Sequence, residues 1–141
     1  TWSGYDGLTV TGAAALSTGT VTLNSNGSNI LFNSTLAGGS QNLVITGNVV
    51  FGNEATDTVT GLGTLSVSGT TTINTSNVTS SGTQTYTGDV TLGVDTTLTT
   101  TNSAVTFSGT VNSEATESND LTINAGSGDI TFGAAVGAAV N

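Results

Sequence analysis

The chain has 141 residues and a formal charge of −9, and it contains no lysine, arginine, histidine, cysteine, methionine or proline. Without imidazole, amine or thiol there is no conventional base for a serine nucleophile, no Schiff base and no thiolate, so acid–base work falls to carboxylates alone. Without a cationic side chain nothing clamps a phosphate or neutralises a nucleic-acid backbone; no apolar run reaches the length of a membrane span, so neither nucleic acid nor membrane insertion is expected.

An apolar share of 35% is low for a core as deep as it is wide, and a narrow core fits it better. The chain is nevertheless rich in β-branched residues and lacks the proline and dense charge that accompany disorder. In chain order the apolar residues recur as triplets: Leu8-Thr9-Val10, Val21-Thr22-Leu23, Leu65-Ser66-Val67, Val90-Thr91-Leu92, Val105-Thr106-Phe107, Leu121-Thr122-Ile123 and Ile130-Thr131-Phe132. In each, the outer residues share one side of an extended strand and the central hydroxyl points to the other. Turn-forming text separates them, as in Asn24-Ser25-Asn26-Gly27-Ser28 and Ala125-Gly126-Ser127-Gly128-Asp129. The alanine-rich pieces at 13–16 and 134–139 are too short and too close to glycine for an independent helix.

The text also repeats, approximately 7–52 against 64–133. Leu8-Thr9-Val10-Thr11-Gly12 matches Leu65-Ser66-Val67-Ser68-Gly69. Ile30-Leu31-Phe32, Leu43-Val44-Ile45 and Val49-Val50-Phe51 then match Val105-Thr106-Phe107, Leu121-Thr122-Ile123 and Ile130-Thr131-Phe132 in the same order. Gly12 to Phe32 is 20 positions and Gly69 to Phe107 is 38, so the second copy holds 18 extra residues, around Gln84 to Leu98. A solenoid gains or loses a whole coil without disturbing its stacking, because each coil touches only its neighbours. The expectation is therefore an all-β fold: one parallel β-helix (β-solenoid) over 1–141, with about 18–22 residues per coil. Phe32, Phe51, Phe107 and Phe132 are expected to fill its core.

Phrases such as Gly61-Leu62-Gly63-Thr64-Leu65-Ser66-Val67-Ser68-Gly69-Thr70-Thr71-Thr72-Ile73-Asn74, Ser81-Gly82-Thr83-Gln84-Thr85-Tyr86-Thr87-Gly88-Asp89-Val90-Thr91-Leu92-Gly93 and the segment 121–133 resemble repetitive bacterial cell-surface exoproteins of the filamentous-haemagglutinin type, the giant adhesins and autotransporter-like β-helix proteins. The resemblance covers nearly the whole chain and implies a right-handed parallel β-helix, an extracellular or cell-surface location, and work as a fibre or stalk in adhesion, aggregation and biofilm. It is a resemblance of scaffold text, and it transfers no binding residue for a host or cell-surface glycan. The chain departs from the family in being far shorter and in showing no secretion domain.

Its last residues followed by its first would recreate the connection found internally between Gly52 and Gly69. A head-to-tail partnership with itself is therefore expected, through the next repeat of a longer polypeptide or the next subunit, with Trp2, Tyr5, Val136 and Val140 as junction candidates.

Two acidic clusters follow equivalent apolar segments: Glu54 with Asp57, and Glu114 and Glu117 with Asp120. Hard oxygen ligands are all the chain offers, and paired carboxylates of this kind attract Ca²⁺. Their spacing matches neither the twelve-residue calcium loop nor the glycine-rich nonapeptide, which favours a solvated corner. Asn26, Asn33, Asn74 and Asn77 head formal N-glycosylation sequons.

The leading expectation is a structural, non-enzymatic filament or stalk segment with no catalytic residue. One alternative is an ice-binding solenoid, suggested by Thr-X-Thr units such as Thr58-Val59-Thr60 and Thr85-Tyr86-Thr87, against which the uneven spacing of coils counts. A carbohydrate-binding or carbohydrate-active β-helix working through two carboxylates is the other.

Overall fold

The structure is a computed structural model that describes residues 1–4 and 6–137. Among these residues there is no helix, and every strand pairing is parallel, so that the chain winds through about six turns of a β-solenoid. Each turn crosses three faces in the same order.

Face 1 stacks Trp2–Ser3, residues 20–24 and 42–46, Leu65–Val67, Gln84–Tyr86, Val105–Phe107 and Ile130–Phe132. Face 2 stacks Leu8–Val10, residues 29–32 and 48–51, Thr71–Ile73, Val90–Leu92 and Val111–Ser113, with Val136 bridged onto Val111. Face 3 stacks Ala14–Ala15, Leu36–Ala37, Thr58–Leu62, Asn77–Ser80, Thr96–Thr99 and Leu121–Asn124. Faces 1 and 2 belong to one sheet because Thr20–Phe32 and Asn42–Phe51 run round the shared corner unbroken. The first of them absorbs extra residues there, with Asn26 and Gly27 at φ 48° and 98°.

Inward residues form continuous columns. On face 1 one column runs Val21, Leu43, Leu65, Gln84, Val105, Ile130, and the next runs Leu23, Ile45, Val67, Tyr86, Phe107, Phe132. Parallel in-register stacking at about 4.8 Å per coil sets like side chains directly over one another. The aromatic rings consequently stack: Tyr86 on Phe107 with centroids 5.1 Å apart, Phe107 on Phe132 at 5.1 Å, and Phe32 on Phe51 at 5.8 Å. Phe32, Phe51 and Phe107 are buried, as expected. Phe132 is 42% exposed, because it lies in the last described coil and none of the described residues forms a coil over it.

Paired residues are separated by as few as 18 positions, from Leu62 to Ser80, and by as many as 25, from Thr96 to Leu121. The circuit from Thr96 to Leu121 thus exceeds the expected 18–22 residues because its corner between faces 2 and 3 is a longer acidic loop at 114–120, and the circuit from Leu36 to Val59, at 23, exceeds it by one. The stretch from Gln84 to Leu98 makes one circuit of all three faces. The two aligned text segments do not occupy the same faces: Leu8–Val10 lies on face 2 and Leu65–Val67 on face 1, and Ile30 lies on face 2 where Val105 lies on face 1.

Close stacking also fixes the corner chemistry. Between faces 1 and 2 the backbones of successive coils pass so near that a Cβ on Gly88 would lie 2.4 Å from the Gly69 carbonyl oxygen, and one on Gly109 would lie 2.6 Å from the Gly88 carbonyl carbon. Glycine recurs at this corner because no side chain fits there.

Candidate functional site

The acidic residues singled out in the sequence all lie at one corner, between faces 2 and 3. Glu54 and Asp57 close one turn, with the Asp57 N–H donating to the Glu54 carbonyl at 3.0 Å. Glu114 and Glu117 close another that shares the text Glu-Ala-Thr, with the Glu117 N–H donating to the Glu114 carbonyl at 3.1 Å. The corners at 74–76 and 93–95 lie between them in the stack, so the two turns are three coils or about 14 Å apart along the axis. The structure brings each pair into its own turn and does not bring the two turns together. Among the described residues no three acidic side chains are grouped to hold a metal ion.

Asp57 is buried and occupied by its own loop. Its Oδ2 accepts the Asn53 N–H at 3.0 Å, and the Asn53 amide, turned with its nitrogen toward the acceptors, donates to the same oxygen and to the Asn33 carbonyl, each at 2.8 Å. Asp120 sits beside Asp95, which the sequence reading passed over: the Asp95 Oδ1 accepts the Asp120 N–H at 2.8 Å. An open groove runs along this corner, with Asp95 and Glu117 the carboxylates that line it.

The same device recurs at other corners, where a short acidic or amide side chain accepts an N–H of the next coil. Asn48 Oδ1 accepts from Thr70 at 3.0 Å, Asp89 Oδ1 from Thr110 at 2.8 Å, and Asn102 Oδ1 from Ser127 at 3.1 Å. These bonds satisfy backbone donors where the chain leaves one ladder and has not entered the next. The hydrogen bonds from Thr110, first its backbone N–H and then its side chain, hold the exposed Asp89 carboxyl below its ordinary value. Carboxylates at these corners therefore join coil to coil.

Of the four sequon asparagines, Asn26 is exposed, whereas Asn33, Asn74 and Asn77 are half-buried. The Asn77 amide donates to Ser76 Oγ at 3.1 Å, and its strand belongs to face 3. Among the junction candidates, Trp2 is half-buried and pairs with Leu23 at the first coil, and Val136 is 53% exposed at the last. Tyr5 and Val140 lie outside the described residues.

Ile130, Phe132 and Val136 are the large hydrophobic residues exposed by the described chain, at 45%, 42% and 53%, and all three continue inward columns. This uncovered coil end is one candidate surface. The other is the hydroxyl text facing outward on the three faces, which includes Thr97-Leu98-Thr99, an unbroken Thr-X-Thr unit, and Asn77-Val78-Thr79, which the pattern misses because an asparagine takes its first position. No helix of the described residues is long and apolar enough to cross a membrane. No family model, curated protein or solved structure matches the chain.

Proposed function

We propose that the chain is a structural segment of an extracellular bacterial filament or adhesin stalk, joined end to end with the next β-coil of a longer polypeptide or of a second copy. The observation that carries this reading is the last described coil, where Ile130, Phe132 and Val136 continue buried columns and are left exposed. Covering them with another coil removes apolar surface from water at roughly 25 cal/mol per Å² and pairs the free strand edges at the same time.

A stack of six coils rises about 29 Å, and every added unit lengthens the rod without changing its cross-section. Stiffness follows from coil-to-coil hydrogen bonding. The absence of lysine and arginine leaves no cleavage site for trypsin-like proteases, which suits a mechanical role outside the cell. We assign the segment no catalytic step, and its partner is itself.

Size-exclusion chromatography over a concentration series, with electron microscopy of the same samples, tests the reading. Rods longer than one unit are expected, and Phe132→Glu, which places a charge in the exposed column, is expected to shorten them. A dispersed particle of one chain at high concentration, unchanged by Phe132→Glu, would overturn it.

A further inference from the structure

Face 3 differs from the other two in the width of its strands. In the later coils faces 1 and 2 are built from triplets such as Gln84–Tyr86 and Val90–Leu92, each with one outward residue at its centre. On face 3 the strands Thr58–Leu62, Asn77–Ser80, Thr96–Thr99 and Leu121–Asn124 each hold two: Thr58 and Thr60, Asn77 and Thr79, Thr97 and Thr99, Thr122 and Asn124.

Parallel register sets these residues in two columns over four successive coils. Thr58, Asn77, Thr97 and Thr122 are direct partners in the first. In the second, Thr79, Thr99 and Asn124 are direct partners, and Thr60 stands beside Thr79 where the register slips by one residue at Gly61. The Gly61 N–H donates to Thr79 Oγ1 at 2.9 Å, which ties that slip to the column.

The spacings of such an array follow from β geometry alone: about 4.8 Å from coil to coil and about 6.6 Å from one outward residue to the next along a strand. Both lie close to the oxygen repeats on a prism face of ice. Six of the eight positions are threonine and the other two are asparagine, and none is charged. Threonine offers a hydroxyl that can stand in a water lattice beside a methyl that cannot compete for hydrogen bonds. Its β-branched χ1 holds both in place, so little freedom remains to be lost on binding.

The uneven coil lengths, which in the sequence count against such a surface, do not reach it. From Thr58 to Asn77 is 19 positions, from Asn77 to Thr97 is 20 and from Thr97 to Thr122 is 25, yet each pair is in register. The surplus residues are taken up at the corner, chiefly in 114–120.

We propose that the outward side of face 3 is an ice-binding surface, with its two columns of threonine and asparagine adsorbing to an ordered water lattice. This holds whether or not the chain is part of a longer rod. The test is thermal hysteresis of the purified chain, together with adsorption of the fluorescently labelled chain to a single ice crystal. Hysteresis that rises with protein concentration is expected, with most of it lost in Thr97→Tyr/Thr99→Tyr and kept in Thr85→Tyr/Thr106→Tyr, which places equal bulk on face 1. Circular dichroism checks that each variant folds. If the face 3 pair does not fold, Thr122→Tyr decides, since Thr122 is exposed in the last strand of the face: lowered hysteresis supports the assignment and unchanged hysteresis overturns it. Absent hysteresis with no adsorption to ice, or equal losses from the two faces, would also overturn it.

Discussion

The Tyr86 hydroxyl donates to Gln84 Oε1 at 2.9 Å inside the core, where both side chains are fully buried. The Gln84 amide nitrogen donates in turn toward the carbonyl oxygens of Val78 at 3.2 Å and Thr99 at 3.1 Å and toward Ser80 Oγ at 3.2 Å. Leu65 and Val105 flank Gln84 in its column, and Val67 and Phe107 flank Tyr86. A polar pair survives there because its polar atoms find partners within the coil or its neighbours. Burial pushes the Tyr86 hydroxyl far above its ordinary range, so it is a donor at neutral pH.

Removing either partner alone therefore leaves the other unsatisfied, a cost that removing both does not repeat. Tyr86→Phe strands the Gln84 carbonyl oxygen and Gln84→Leu strands the tyrosine hydroxyl, each at about 1–3 kcal/mol. The double variant should lose clearly less than the sum of the two. Urea unfolding of the four proteins measures the coupling, and strictly additive losses would count against the pair as a unit.

This pair also marks where the sequence stops being readable. The triplets Leu65-Ser66-Val67 and Val105-Thr106-Phe107 declare both strand and facing within three residues, since hydropathy and β propensity agree. Gln84-Thr85-Tyr86 carries the same facing in the same ladder with polar atoms at both inward positions. Hydropathy passes over it and sees Thr85-Tyr86-Thr87 as a threonine unit. The face to which a triplet belongs is hidden for a related reason: all three faces want the same aliphatic residues inside, so Leu8 and Leu65 align in text while lying on different faces. The acids are legible as corner residues, because glycine and asparagine surround them. That Asp89 and Asp95 accept N–H groups of the next coil is set by backbone positions about 20 residues further on, which no local pattern records.

Thr71 occupies a core column of face 2 between Val49 and Val90, and its buried hydroxyl has no hydrogen-bond partner. Valine has nearly the same shape without the polar atom. Thr71→Val is expected to stabilise the fold by about 1–2 kcal/mol, the desolvation cost that the unpaired hydroxyl now imposes. A higher urea midpoint with an unchanged m value would show it; a lower midpoint would mean that the hydroxyl is satisfied after all.

Two glycines that look alike in sequence should respond oppositely to alanine. At Gly88 the new methyl would lie 2.4 Å from the Gly69 carbonyl oxygen and 2.8 Å from the Thr70 nitrogen, both backbone atoms of the coil below. The coils must part locally, so Gly88→Ala is expected to cost about 3 kcal/mol, the upper end of ordinary overpacking. At Gly12 nothing lies within 4 Å of the added atom and φ is not positive. Gly12→Ala is expected to be neutral or to stabilise by up to about 1 kcal/mol, by restricting the unfolded chain. Thermal unfolding of the two variants side by side checks the contrast.

Asp89 supplies a test of the corner bonds through pH. Its carboxylate accepts the Thr110 N–H at 2.8 Å, and these contacts with Thr110 hold its folded-state pKa below the unfolded value. A group with a lowered folded pKa binds fewer protons when folded, so its contribution is present above the unfolded pKa and is lost as pH falls through the folded one. Asp89→Asn keeps an acceptor oxygen in the same place, as Asn48 does toward Thr70 at 3.0 Å two coils earlier, but removes the charge. The wild-type chain should therefore melt above Asp89→Asn at pH 7, and the difference should close as the pH falls below the ordinary aspartate range. The two chains differ at this one side chain, so the comparison isolates it. A difference in melting temperature that stays constant over this range would show that the charge on Asp89 does not strengthen the bond between these two coils.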